Sequence, residues 1–221
     1  MDGNRRWARE RGLPVACGYR RGITALRRTL RAAAGAKVRV VTAFAFSDEN
    51  WGRPAAEVDL LMRLCLHAAN GELQSLVNEG VRVRLCGSAD RLPARTRRAL
   101  ETLVEKSGEN RRITLNLAID YGARREIRDA VRALVGEVHA GIRDIDSIDE
   151  RAIGSKLYTA GLPDPDLIIR TGGELRLSNF LLFQAAYAEF WSTRTYWPDF
   201  DERELLAALE DFASRHRRYG T

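Results

Sequence analysis

Short apolar runs alternating with helical stretches constrain this chain more than any other feature. Residues 38–46 (VRVVTAFAF), 81–86 (VRVRLC), 113–119 (ITLNLAI) and 167–170 (LIIR) have the length and β-branched content of strands. Residues 18–36, 55–78, 93–106 and 124–140 read as helices. In 18–36, Ile23, Leu26, Leu30 and Ala33 recur on one face and arginines fill the other. A shorter helix is expected at 148–159. A last helix is expected at 202–217, with Asp201 as its cap. Phe190 and Trp191, extending toward Tyr196, read as one more short strand. Strand–helix alternation builds a mostly parallel sheet with helices on both faces. The expected fold is α/β, with 38–46 as a central strand. We find no linker, repeat or low-complexity tract, so 1–221 reads as a single domain.

Polar chemistry gathers where two strands end, which is where open α/β sheets place their sites. Residues 47–54 (SDENWGRP) follow one strand and 170–178 (RTGGELRLS) follow another. In the second, Arg170, Arg176 and Ser178 bracket Gly172 and Gly173. Guanidiniums, hydroxyls and bare amides in that arrangement suit a phosphate or diphosphate. Residues 1–7 (MDGNRRW) have turn chemistry. They read either as a frayed terminus or as a carboxylate and free amides beside two arginines. The first turn of helix 18–36, near Gly18, is a further candidate anion site. Helix 55–78 is apolar nearly all round at 60–66. It is either a core helix or one wall of an apolar cavity.

Several function classes lose ground. Lys+Arg number 36 against 30 Asp+Glu, a net charge of +6. Nucleic acid is the standard suspicion for a basic chain, but these arginines are interleaved with acids along helices. Cys17, Cys65 and Cys86 are isolated, and His67, His139 and His216 are far apart, so neither a disulfide framework nor a metal spacing is present. The expected setting is reducing and cytoplasmic. The uncharged stretch 177–188 is short of the ~20 residues a bilayer needs. We find no G-x-G-x-x-G, P-loop or nucleophile elbow.

Five segments, MDGNRRWA, FSDENWGRP, RTGGELRLSNF, AYAEFW and WPDF, stand in one order and spacing that resembles the cis-prenyltransferase family. The resemblance runs from Asp2 to Gly220. It implies condensation of isopentenyl diphosphate with an allylic diphosphate, with Mg²⁺, to form a new Z double bond. Asp2 would be the catalytic, Mg²⁺-linked aspartate. Gly3, Asn4, Arg5, Arg6 and Trp7 would surround the allylic diphosphate. Ser47, Asp48, Glu49, Trp51 and Arg53 would meet substrate, with Asn50 at the position assigned to proton removal. Arg170, Arg176, Leu177 and Ser178 would hold isopentenyl diphosphate. Glu189 would be a metal ligand serving the partner subunit's site in a homodimer, and Arg218-Tyr219-Gly220 resembles a tail element that reaches across it. The growing chain would occupy an apolar tunnel between sheet and helices, with Met62, Leu66, Ile113 and Leu115 as candidate walls. Peripheral membrane contact for product release is implied, without a transmembrane segment.

The pattern is not complete. Val15 stands where many relatives carry Arg, and Tyr19 and Leu175 stand where they carry His. The family also places a buried strand before the Asp-Gly-Asn motif. We therefore expect Met1 to be internal to a longer chain with a Val/Ile-rich run ahead of it. Two alternatives share the fold: a head-to-middle condensing relative joining two allylic diphosphates, and a non-catalytic partner subunit. Retention of Asp2 and the arginine loop disfavours the latter.

Overall fold

The computed structural model describes residues 1–216. The segment 217–221, with the expected Arg218-Tyr219-Gly220 element, lies outside the described residues. Eight α-helices and five strands are present among them. In order they are α1 (Asn4–Glu10), α2 (Val15–Gly35), β1 (Val40–Ser47), α3 (Ala55–Asn70), α4 (Glu72–Asn78), β2 (Val81–Cys86) and α5 (Ala94–Lys106). β3 (Ile113–Tyr121), α6 (Ala123–His139), α7 (Glu150–Gly154), β4 (Leu167–Arg170), β5 (Glu189–Ser192) and α8 (Glu202–Ser214) complete the set.

Every strand pairing is parallel, as the alternation of elements requires. β1, β3 and β2 form one sheet in that order, and β4 and β5 form another. The strand expected to be central, β1, is therefore an edge strand, and β3 is the middle one. β3 alternates. Ile113, Leu115, Leu117 and Ile119 join the larger core cluster with α2 to α5, while Ala118 faces a second cluster with Phe44 and Leu181. The backbone of Asp120 is left-handed at φ 51. That interrupts the alternation, and Tyr121 joins the same cluster as Ala118.

The free edges of β1 and β4 line one cavity of about 890 Å³, with Met1, Asp2, Leu26 and Thr29 of α2 and Leu205 and Leu209 of α8. It is a slot between the facing edges of the two sheets. A smaller apolar cavity of about 110 Å³ lies between α2, α3 and the first sheet.

Four local expectations need correction. Helix 55–78 is two helices, because Gly71 adopts φ −117, ψ −91 and breaks the hydrogen-bond ladder. The helix expected at 148–159 stops at Gly154, although Asp149 caps it by accepting from Ala152 N–H. The N-terminal turn is followed at once by α1, entered through Gly3 at φ 100. Gly18 lies inside α2, which starts at Val15. A side chain at Gly18 would meet the Asn4 carbonyl at 2.1 Å, so it packs against α1 and offers no anion site. Asp201 caps α8 as expected, accepting from Glu204 N–H at 3.1 Å.

Candidate active site

The site is built around Asp2, and the fold ties that residue down from three sides. Its N–H donates to Thr171 Oγ1 at 2.9 Å, and the Thr171 hydroxyl donates back to the Asp2 carbonyl at 2.8 Å. Trp197 N–H donates to the same carbonyl at 2.9 Å. Asp2 Oδ1 accepts from Gly3 N–H at 2.7 Å, and Oδ2 accepts from Arg170 Nη2 at 3.0 Å. Burial pulls the carboxyl upward. The Arg170 hydrogen bond, the Gly3 amide and the charge of Arg6 outweigh it, leaving Asp2 below the ordinary carboxylate range and ionised.

Arg170 ends β4 and reaches two ways. One guanidinium nitrogen holds Asp2. The other donates to the Arg176 carbonyl and to Ser178 Oγ, the latter at 2.8 Å. Arg6, one turn into α1, lies 3.5 Å from Asp2 and 3.3 Å from Glu174. Glu174 also takes Arg176 at 2.6 Å. Gly172 permits this closeness. Its φ is +84, and a Cβ there would sit 2.6 Å from Arg6 Nη2. Arg6, Arg170, Arg176 and Ser178 thus converge beside one carboxylate.

The 47–53 loop closes the other side. Ser47 N–H donates to Asn50 Oδ1 at 3.2 Å, which shapes a 3₁₀ turn at Asp48–Gly52. Glu49 accepts from Asn179 Nδ2 at 2.8 Å, tying this loop to the one that carries Ser178. Arg53 donates to Tyr19 at 2.9 Å and Glu57 at 3.1 Å, and Arg5 lies 3.5 Å from Glu57. Tyr19, held up at about 12 by burial and by Glu57, stays a donor to that carboxylate at 2.8 Å. Trp51 leans on Phe46 with ring centres 5.0 Å apart. The large cavity opens among Asp2, Ser47, Glu49, Asn50, Arg53, Arg170, Arg176, Leu177 and Ser178, and its remaining walls are mainly apolar. Asn4 instead lines the small cavity. Trp7 stacks under Arg11 at 4.6 Å.

Glu189 is placed differently. It starts β5 opposite Leu167, while Asp2 is bonded to residues at the far end of β4. Three residues of parallel strand separate the two levels, about 10 Å. Glu189 accepts from Arg215 Nη1 at 2.7 Å. Among the described residues no group of three acids, histidines or cysteines could hold a metal. Asp2 can still offer hard oxygen to a divalent cation whose other ligands are phosphate oxygens and water.

Sequence reasoning passed over Thr171, Glu174 and Asn179, which lie within quoted motifs but contact the site through backbone or acid partners. It also passed over Asp120, Arg91 and Arg125 behind the 47–53 loop. Of the candidate tunnel walls, Met62 lines the small cavity. Leu66, Ile113 and Leu115 do not, and Leu117 and Ile119 do.

Residues 1–220 match the family described as putative undecaprenyl diphosphate synthase (Prenyltransf). The chain is 47% identical over 220 residues to an isoprenyl transferase of Heliobacterium mobile, covering 100% of this chain and 85% of that protein. It is likewise 47% identical to an isoprenyl transferase of Agrobacterium fabrum, covering 89% of that protein. Among solved structures, lavandulyl diphosphate synthase from Lavandula x intermedia, in complex with dimethylallyl diphosphate, superposes with a TM-score of 0.97. It is 34% identical, and the match covers 100% of this chain and 95% of that one. A probable undecaprenyl diphosphate synthase from Campylobacter jejuni superposes with a TM-score of 0.80 at 30% identity, covering 91% of this chain and 92% of that one.

Proposed function

Since the chain belongs to the putative undecaprenyl diphosphate synthase family, and so is an isoprenyl-transferring enzyme, we propose that it condenses isopentenyl diphosphate with an allylic diphosphate, Z-selectively and with Mg²⁺. One observation carries the reading. Arg6, Arg170, Arg176 and Ser178 gather around ionised Asp2, and an apolar cavity begins beside them at Met1 and Asn4 and runs between α2, α3 and β1. That combination fits an amphiphile with a diphosphate head and a hydrocarbon tail.

In this reading Asp2 and phosphate oxygens hold the cation, which when bound neutralises charge developing on the leaving diphosphate. Arg6 and the amides of Gly3 and Asn4 steady the allylic diphosphate. Arg170, Arg176 and Ser178 orient isopentenyl diphosphate, and Asn50 stands at the proton to be removed. Glu189 would serve the partner subunit's site. The test is incubation of labelled isopentenyl diphosphate with geranyl or farnesyl diphosphate and Mg²⁺, followed by extraction and sizing of products. Failure to incorporate label with any allylic primer overturns the proposal.

A second reading has its own support. The backbone agrees more closely with lavandulyl diphosphate synthase than with the undecaprenyl-type structure. A head-to-middle condensation would consume dimethylallyl diphosphate alone. Product from that single substrate, without isopentenyl diphosphate, would select this reading.

Three outcomes follow from elongation. Arg176→Ala should raise KM for isopentenyl diphosphate by ~10–100-fold, the worth of one hydrogen bond to a charged group, and spare the allylic substrate. Equal shifts in both constants would break the division of the two subsites. The small cavity, about 110 Å³, is less than the ~150 Å³ that admits one benzene. Met62 on α3 lines it, so in this reading its side chain limits how far the products extend. Met62→Ala should lengthen them by one or more units on thin-layer or mass analysis, and an unchanged product would exclude Met62 as a stop. Finally, a homodimer is expected. Val131 and Val135 on α6, 47% and 43% exposed, leave an apolar face open. Light scattering of an active monomer at micromolar concentration would contradict it.

A further inference from the structure

Behind the 47–53 loop, outside the cluster around Asp2, lies a set of charged groups centred on Asp120. Its side chain has no exposure, yet it sits at the end of β3 beside the site. Asp120 Oδ1 accepts from Trp51 Nε1 at 2.8 Å and from Arg91 Nη2 at 2.6 Å, and Oδ2 accepts from Ser88 Oγ at 2.9 Å. Arg125 Nη2 stands 3.1 Å from Oδ1. Arg91 and Arg125 both continue to Asp48, Arg125 at 3.5 Å. Arg91 also lies over the Trp51 ring, 5.1 Å from its centre. Two residues of the substrate loop, Asp48 and Trp51, are therefore fixed through one buried carboxylate.

We propose that Asp120 is the positioning residue of the 47–53 loop, holding Trp51 directly and Asp48 through Arg91, so that Glu49, Asn50 and Arg53 face the substrate. The inference rests on the reading of that loop as substrate-binding. Three further features support it. The left-handed backbone of Asp120 is a strained arrangement of the sort that persists where surroundings over-determine it. At Gly122 a Cβ would lie 2.7 Å from Asn179 Nδ2 and 3.1 Å from Asp48 Cβ, so the turn after Asp120 is where the two substrate loops meet. Burial pulls the Asp120 carboxyl upward, but the hydrogen bonds from Arg91, Trp51 and Ser88 and the charge of Arg125 hold it below the ordinary range, so it remains an acceptor for those three, while Arg125 donates to the Asp120 main-chain carbonyl.

A purely structural ion pair would lower stability and leave catalysis alone. The test therefore compares wild type with Asp120→Asn, Trp51→Phe and the double variant. It measures kcat and KM for both diphosphates, thermal stability, and acrylamide quenching of Trp51 as the difference between each protein and its Trp51→Phe counterpart. We expect Asp120→Asn to lower kcat/KM by ~10–100-fold, as small misplacements in a site do. Trp51 should become more accessible, and the double variant should be no worse than the poorer single one. Arg91→Gln, at a half-exposed position, should reproduce the loss in milder form if Asp120→Asn fails to fold. Normal kinetics with lowered stability, additive losses, or unchanged Trp51 quenching would each overturn the proposal. If wild type transferred no prenyl group, the functional reading would fail instead, and the quenching comparison would still decide whether Asp120 holds Trp51.

Discussion

Asp2→Ala is expected to lower turnover by at least ~10²–10³-fold, the loss that follows removal of one preorganised charge-stabilising group, and to leave the fold intact. The second half of that expectation comes from how Asp2 is held. Its backbone, not its side chain, makes the ties to Thr171 and Trp197. Truncation leaves those in place and removes only the carboxylate. Arg170 loses one partner but keeps Ser178 and the Arg176 carbonyl. Excess chelator should silence the wild type to a similar level. Circular dichroism and melting of the variant should match the wild type within a few degrees. Full activity in chelator, or a variant that turns over normally, would remove Asp2 from the metal-linked role.

An extended, Val/Ile-rich segment joined ahead of Met1 is expected to raise the melting temperature by about 10 °C. At ~2–4 °C per kcal/mol for a chain of this size, that is roughly 2.5–5 kcal/mol. The slot between β1 and β4 motivates this. Among the described residues, the edge of β1 away from β3 and that of β4 away from β5 have no strand partner, and both line the slot. Open edges leave backbone donors and acceptors unpaired and invite pairing with other chains. An inserted strand would pair both edges and bury its apolar side chains at ~1.5–3 kcal/mol each before ordering costs. A segment of equal length interrupted by Pro should give no gain. Equal melting of both forms would show that the slot is not a strand site.

Strand positions were the most legible part of the chain. Residues 81–86 and 167–170 matched β2 and β4 at both ends because each run is bounded by turn residues. Order within the sheets was not legible. Nothing in the alternation of 38–46 separates an edge strand from a central one. Helix 55–78 reads as continuous because one glycine in a helical pattern is ordinarily tolerated, and only the backbone at Gly71 shows the break. The arginine loop was readable from residue types at a strand end. The Asp120 cluster was not, because Ser88, Arg91, Asp120 and Arg125 are separated in sequence by up to 37 residues, counting 125 − 88. Their meeting depends on the parallel register of β2 and β3. Glu189 shows the converse. Its motif marks it for the site, yet in one chain it answers Arg215.

The ion pairs around Asp2 also set how ligands depend on one another. Arg170 is engaged with Asp2, Arg6 with Asp2 and Glu174, and Arg176 with Glu174. The arginines that would grip a diphosphate and the carboxylate that would grip a cation thus occupy each other. A diphosphate that draws Arg170 away leaves Asp2 open to a cation, and a cation on Asp2 leaves Arg170 open to a diphosphate. If both ligands bind there as proposed, thermodynamic linkage makes the effect of each on the other equal, typically ~5–150-fold. Isolated anions gain neither half of that exchange. The protein would discriminate among phosphate-bearing molecules by cooperativity with the cation, and much less by the shape of its arginine cluster alone.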